Sequence, residues 1–164
     1  MQKISIEKVV INMGVGSDAD KMKRGEQIMK LITGRKVIKT HGKKRIPDWG
    51  VRPGVQLGLK ITLRGNKAME FLKEAFKAKD NKIKAKSFDK EGNFGFGVRE
   101  HIELPGIKYD PKLGILGFDV LVTLKKIGYR VKVRKIKRKK IGKNQRVTKE
   151  EAINFVKEIG VELQ

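Results

Sequence analysis

Across residues 125–143, eleven of nineteen side chains are Lys or Arg and none is acidic. A segment this dense in one sign of charge repels itself, and a compact fold does not easily hold it without a counter-charge nearby. The rest of the chain does not supply one. The 164 residues carry 40 basic and 18 acidic side chains, for a net charge of +22. A polyanion relieves such repulsion, and nucleic acid fits because each phosphate neutralised releases condensed counterions. A merely heat-adapted surface is rich in both Lys and Glu. Here the basic residues outnumber the acidic ones more than two to one.

Hydrophobic residues make up 38% of the chain. That is low for a globular protein but permits a modest core, with part of the chain ordering only on its partner. The length fits one domain with an appendage. We expect an RNA-binding α+β domain over residues 1–124 and a basic extension with a C-terminal helix over 125–164, packed on the same domain. No apolar run approaches the ~18 residues of a membrane span, and no signal peptide is read. No segment shows the apolar face beside Lys that a membrane-surface helix wants. Without cysteine, disulfides and thiolate metal sites are excluded. The expected setting is cytosolic, with no membrane partner and no cofactor.

Residues 4–12 are largely β-branched and predict a first strand, ending at Gly14-Val15-Gly16. Ser17 then offers an N-cap, and Asp18 and Asp20 suit the first turn of a helix. Met22, Ile28, Met29, Leu31 and Ile32 form its apolar stripe, and Gly34 its stop. Val37 and Ile38 lie in a short second strand. Residues 41–58 form a loop containing Pro47 and Pro53. In the next segment Leu59, Ile61 and Leu63 face one way, while Lys60, Thr62 and Arg64 face the other. A sheet whose outer face is basic can lie against phosphates. A helix over about 66–79 follows, then strands over 94–104 and 117–124. The alternation of Val131 and Val133 with Arg130, Lys132 and Arg134 predicts another strand over 129–136. Thr148-Lys149-Glu150-Glu151 is a capping box opening a last helix. The mixed order predicts an α+β fold, a mainly antiparallel sheet with helices packed on one face, plus the basic C-terminal extension.

Several motifs have a functional and a structural reading. Gly14-Val15-Gly16, between strand and helix, sits where phosphate-binding turns occur. Asp18 and Asp20 would repel a pyrophosphate, so a tight turn is the favoured reading. Gly92-Asn93-Phe94-Gly95-Phe96-Gly97-Val98 is similar to the aromatic octapeptide of RNA-recognition motifs. Phe94, Phe96 and Val98 share one face, however, and core packing is favoured. His41 and His101 lack a carboxylate constellation, so neither a metal site nor acid-base catalysis is expected. The strongest local candidate is the stretch 39–54, with five basic residues, one Asp and Trp49 interleaved. Its cations suit phosphates, and Trp49 either stacks on a base or sugar or tucks into the core.

The residues then match a known family. Ile6-Glu7-Lys8-Val9-Val10-Ile11-Asn12-Met13-Gly14-Val15-Gly16, Thr33-Gly34-Arg35-Lys36-Val37 and Gly50-Val51-Arg52-Pro53-Gly54 come first. Leu57-Gly58-Leu59-Lys60-Ile61-Thr62-Leu63-Arg64-Gly65, Ser87-Phe88-Asp89, the 92–98 motif and Pro105-Gly106-Ile107-Lys108-Tyr109-Asp110-Pro111 follow in the same order. Together they resemble the universal large-subunit ribosomal protein family L-five. The basic run and Thr148-Lys149-Glu150-Glu151-Ala152 resemble the extension of its archaeal and eukaryotic branch. Archaeal members often carry a short segment before the first strand, and here Met1 lies almost on it.

The resemblance implies a structural role in the central protuberance of the large subunit. Its partners would be 5S rRNA, large-subunit rRNA, peptidyl-site tRNA and neighbouring ribosomal proteins, including a small-subunit bridge protein. It implies 5S rRNA contacts near Asn12, Met13, Gly14, Lys36, Lys39, Thr40, Lys60, Arg64, Asn93 and Arg99. It places a tRNA-contacting loop at Lys43, Lys44, Arg45, Trp49 and Arg52. Further rRNA contact falls to Arg130, Lys132, Arg134, Lys135, Lys137, Arg138, Lys139 and Lys140. The alternatives are a free-standing RNA-binding regulatory or chaperone module and, more distantly, a nucleotide-binding enzyme.

Overall fold

The β-branched run at the N-terminus becomes the central strand of a five-stranded antiparallel sheet. The computed structural model describes residues 3–164; Met1 and Gln2 lie outside the described residues. Strand β1 (Ser5–Gly14) pairs with β3 (Gln56–Leu63) on one side and β6 (Phe118–Lys125) on the other. β2 (Ile38–His41) and β5 (Phe94–Val98) form the two edges, giving the order β2-β3-β1-β6-β5. A separate parallel pair joins β4 (Lys82–Ile83) to β7 (Glu162–Leu163).

Period two sends one set of side chains from every long strand to the same face. Val9, Ile11 and Met13 meet Leu59, Ile61 and Leu63, and beside them Val120, Val122, Phe94 and Val98, all buried. Helix α1 (Ala19–Thr33) covers this face with Met22, Ile28 and Met29, and α2 (Asn66–Lys77) with Phe71, Leu72 and Phe76. Gly25 lets α1 approach the sheet: a Cβ there would stand 2.9 Å from Leu59 Cδ1 and 3.1 Å from Met13 Sδ. The Phe76 ring stacks on Phe94 and Phe96, with centroids 6.3 and 5.5 Å apart. The aromatics of the 92–98 motif therefore belong to the core rather than to an exposed stacking platform. Helix α4 (Lys149–Glu158) adds Ala152 and Val156, flanked by Val147 and Val161, so the chain returns to this same core after the basic run.

The α+β reading and the capping box at Thr148 hold. So does the Gly34 stop, left-handed with its N–H on the Lys30 carbonyl at 2.8 Å. Four local expectations are corrected. Asp18, not Ser17, caps α1, its Oδ1 accepting from the Asp20 and Lys21 amides. Leu31 points to solvent, off the buried stripe. The strand expected over 94–104 stops at Val98, whose partner Phe118 begins β6, leaving nothing further to pair with. Residues 129–136 form no strand but a single helical turn, α3 (Arg130–Val133). Val133 is exposed and Val131 only half-buried, so this alternation faced no core.

Candidate nucleic-acid interface

The helices take one face of the sheet and leave the other free of helices, with the basic run bordering it at the Thr123 and Lys125 end. Cross-strand register places Ile38, Lys60, Asn12 and Asp119 in one row on that outer face. Thr62, Val10, Leu121 and Gly95 form the next. Leu121 lies across its neighbour, and a Cβ at Gly95 would stand 2.7 Å from Leu121 Cδ2. At the end of the face Gly14 pairs with Gly58 and Gly58 with Thr40. No side chain fits at Gly58, where a Cβ would come within 2.8 Å of the Met13 carbonyl and 3.1 Å of Thr40 Oγ1. Thr40, Gly14, Asn12 and the exposed Lys60 are thereby gathered at one end. Beside them a cleft of about 520 Å³ is lined by Asn12, Gly14, Asp119, Arg99 and Lys79. Lys79 was not among the expected residues; it comes from the chain just beyond α2, and no motif in the sequence links it to Arg99.

The loop between β2 and β3 projects from this end as a closed structure. The Gly42 amide donates to Val55 at 2.8 Å, and Ile46 and Val51 exchange backbone bonds of 2.9 and 3.0 Å. Pro47–Trp49 makes a tight turn closed by Gly50 in the left-handed conformation. Lys43, Lys44, Arg45 and Arg52 are exposed, and Trp49 is 76% exposed, outside the core and free to stack.

The second projection is the basic run. It leaves the sheet at Lys126, whose side chain is only 6% exposed and whose Nζ donates to Glu151 Oε1 at 2.7 Å. The Glu151 carboxyl is held below its ordinary value, first by this Lys126 bond and then by the Thr148 amide. Beyond that anchor, Arg130, Lys132, Arg134, Lys135, Lys137, Arg138, Lys139 and Lys140 are exposed. Lys132 lies 3.7 Å from Glu91, and Arg134 Nε donates to the Lys137 carbonyl at 2.8 Å.

Other expected contacts stand apart from the outer face. The Met13 side chain is a correction: it is 1% exposed and packs in the core, which leaves only backbone atoms to meet a ligand. Lys39 pairs with Leu59, so it points to the helix side and meets Glu26 of α1 at 3.2 Å. Arg64 Nη1 bonds the buried Glu7 carboxylate and donates to the Glu7 carbonyl at 3.3 Å. Asn93 is tied into a turn, its Nδ2 on Asp89 Oδ2 at 2.8 Å. Lys36 is exposed just before β2.

The Gly14-Val15-Gly16 turn has two of its amides already engaged, since the Val15 and Gly16 N–H groups both donate to the Leu57 carbonyl at 3.1 and 2.9 Å. Asp18 beside it is held ionised by the Lys21 and Asp20 amides, which lower its pKa. His101 is buried and His41 exposed, and among the described residues no cluster of acids and histidines could hold a metal ion.

Comparison with known proteins covers nearly the whole chain. A family model described as ribosomal protein L5 matches residues 1–52, and one for the C-terminus of the same ribosomal family matches residues 56–155. The large ribosomal subunit protein uL5 of Nanoarchaeum equitans is 48% identical, over 99% of this chain and 97% of that protein. Its counterpart in Pyrobaculum aerophilum is 48% identical over 97% of this chain and 89% of its own length. That of Methanococcus aeolicus is 49% identical over 97% and 90%.

Proposed function

The chain belongs to the ribosomal protein L5 family, whose members are structural ribosomal proteins and not enzymes, and from that premise we propose how it works. It is a constituent of the large ribosomal subunit, located in the cytoplasm within the ribosome, with rRNA and other ribosomal proteins as partners. Within the subunit it binds 5S rRNA in the central protuberance. The observation that carries this reading is the sheet face bare of helices, with Lys60, Asn12, Thr40 and Arg99 gathered at one end. A sheet face with few long side chains lets a phosphate backbone approach closely. Lys60 and Arg99 supply charge, while Asn12 and Thr40 supply hydrogen bonds that set register.

Residues 125–164 extend the domain of residues 1–124, and their cations reach large-subunit rRNA. The loop carrying Lys43, Lys44, Arg45, Trp49 and Arg52 stands clear of the sheet. It contacts peptidyl-site tRNA, with the neighbouring surface turned to a small-subunit bridge protein. The closed backbone of the loop and the exposure of Trp49 support this role. The test is retention of labelled 5S rRNA by the isolated protein under excess unrelated folded RNA of equal length. Retention is expected. Equal competition by the unrelated RNA would favour a general RNA chaperone instead.

A further inference from the structure

A cavity of about 630 Å³ opens between the end of β6 and the basic run that folds back beside it. Thr123 and Lys125 of β6 form part of its lining, and Tyr129, Arg138, Lys139 and Lys140 close it from the run. Its size falls within the roughly 300–1,000 Å³ of small-ligand sites, so a single nucleotide fits. The chemistry of the lining decides the ligand class. Arg138, Lys139 and Lys140 have no carboxylate partner among the described residues, and Glu91 is the one acid in the wall. An aromatic ring beside unpaired cations suits a ligand with both a π-face and a phosphate.

We propose that this cavity is a pocket for one unstacked RNA nucleotide, its base on the Tyr129 ring and its phosphates against Arg138, Lys139 and Lys140. Lys132 Nζ now stands over that ring, 5.8 Å from its centroid and 3.7 Å from Glu91. The entering base takes the place of the ammonium, which moves to the phosphate and leaves Glu91. The inference rests on the rRNA reading above and adds a base-dependent contact to what would otherwise be a purely electrostatic segment.

The experiment titrates the full chain, carrying Trp49→Leu throughout so that its most exposed ring does not compete for the base, with a tetra-adenylate RNA and with the same backbone lacking bases. Three variants accompany it: Tyr129→Leu, Tyr129→Phe and, as a distant exposed control, Tyr109→Leu. The intact strand should bind about tenfold tighter than the abasic one. Tyr129→Leu should abolish that difference while leaving abasic binding unchanged, and Tyr129→Phe and Tyr109→Leu should retain it. A thermal unfolding midpoint equal to that of the Trp49→Leu parent certifies that Tyr129→Leu is folded. Equal binding of the two strands by that parent, or a Tyr129→Leu variant that still distinguishes them, overturns the pocket. If that happens while 5S rRNA is still bound, the rRNA reading stands; if 5S rRNA is not bound either, both fall.

Discussion

The two basic projections differ in what holds them. The loop between β2 and β3 closes on its own backbone, through Gly42 to Val55 and the reciprocal Ile46–Val51 bonds, with Val51 buried beneath. The basic run after β6 has backbone bonds within itself, Lys139 N–H to the Val131 carbonyl among them, but it is tied to the rest of the molecule by side chains on acids: at its root by Lys126 to Glu151, and further out by Lys132 to Glu91. A loop closed by backbone bonds keeps its shape when its charges are neutralised. A segment closed by ion pairs takes its shape from its counter-charges, and RNA phosphates compete for the same cations. The first suits a fixed probe, the second a strap that rearranges on its partner.

The largest expected effect is at the root of the run. Glu151→Ala leaves the buried Lys126 ammonium without its partner and removes half of the α4 capping box; with Glu151 itself 39% exposed, the loss should be about 2–3 kcal/mol. Thermal unfolding measures it; an unchanged Tm would show that the run is not anchored there. The same pair makes stability depend on pH. The folded pKa of Glu151 lies below its ordinary 4.5, so its contribution is fully present above 4.5 and is lost as pH falls through the lower folded value. Glu151→Gln should therefore lose less stability than wild type on acidification from 4.5 down through the folded pKa, and parallel acid profiles across that window would contradict the assignment.

The loop comes next. A Cβ on Gly42 would press to 2.9 Å from the Arg52 carbonyl and 3.0 Å from Val51 Cγ1, so Gly42→Ala should cost about 1–3 kcal/mol by forcing the hairpin apart. Faster hydrogen exchange at the Ile46 and Val51 amides is the accompanying sign, and unchanged protection there would break the contrast drawn above. The smallest effect belongs to the outer tie of the run. Lys132 and Glu91 are both about half exposed, and Glu91→Gln should change stability by about 0.2–1 kcal/mol at most. It should nonetheless speed exchange at the Lys139 amide, which donates to the Val131 carbonyl. If Glu91→Gln leaves that amide as protected as before, the ion pair does not shape the run.

What could be read from the sequence was local and periodic. The two faces of residues 59–63 follow from strict alternation, and the Thr148 box and the Gly34 stop follow from short-range hydrogen bonding. The same reasoning misjudged residues 129–136, because alternation signals a strand only when a core lies under one face, and Val133 has none. It also could not see that Arg64 is spent on Glu7, its partner 57 residues away, or that Lys39 turns toward α1 rather than toward Lys60. These are consequences of register and of a bulge between Ile6 and Lys8, which no local pattern encodes. The site was legible as a set of regions; which of its cations remain unpaired was legible only from the fold.

The central claim is that the chain grips 5S rRNA chiefly through phosphates, with Lys60 on the bare sheet face one of several cations engaged. The most direct measurement is filter binding of 5S rRNA to the wild type and to Lys60→Ala across a salt series. With about six to ten phosphates engaged, wild-type affinity should fall by about 10³–10⁵ between roughly 50 and 200 mM salt, by analogy with duplex DNA. Lys60→Ala should bind more weakly at low salt, with a shallower slope and an unaltered Tm, since Lys60 is exposed and unpaired among the described residues. A flat salt profile, or a Lys60→Ala variant whose curve overlies that of the wild type, would contradict the account.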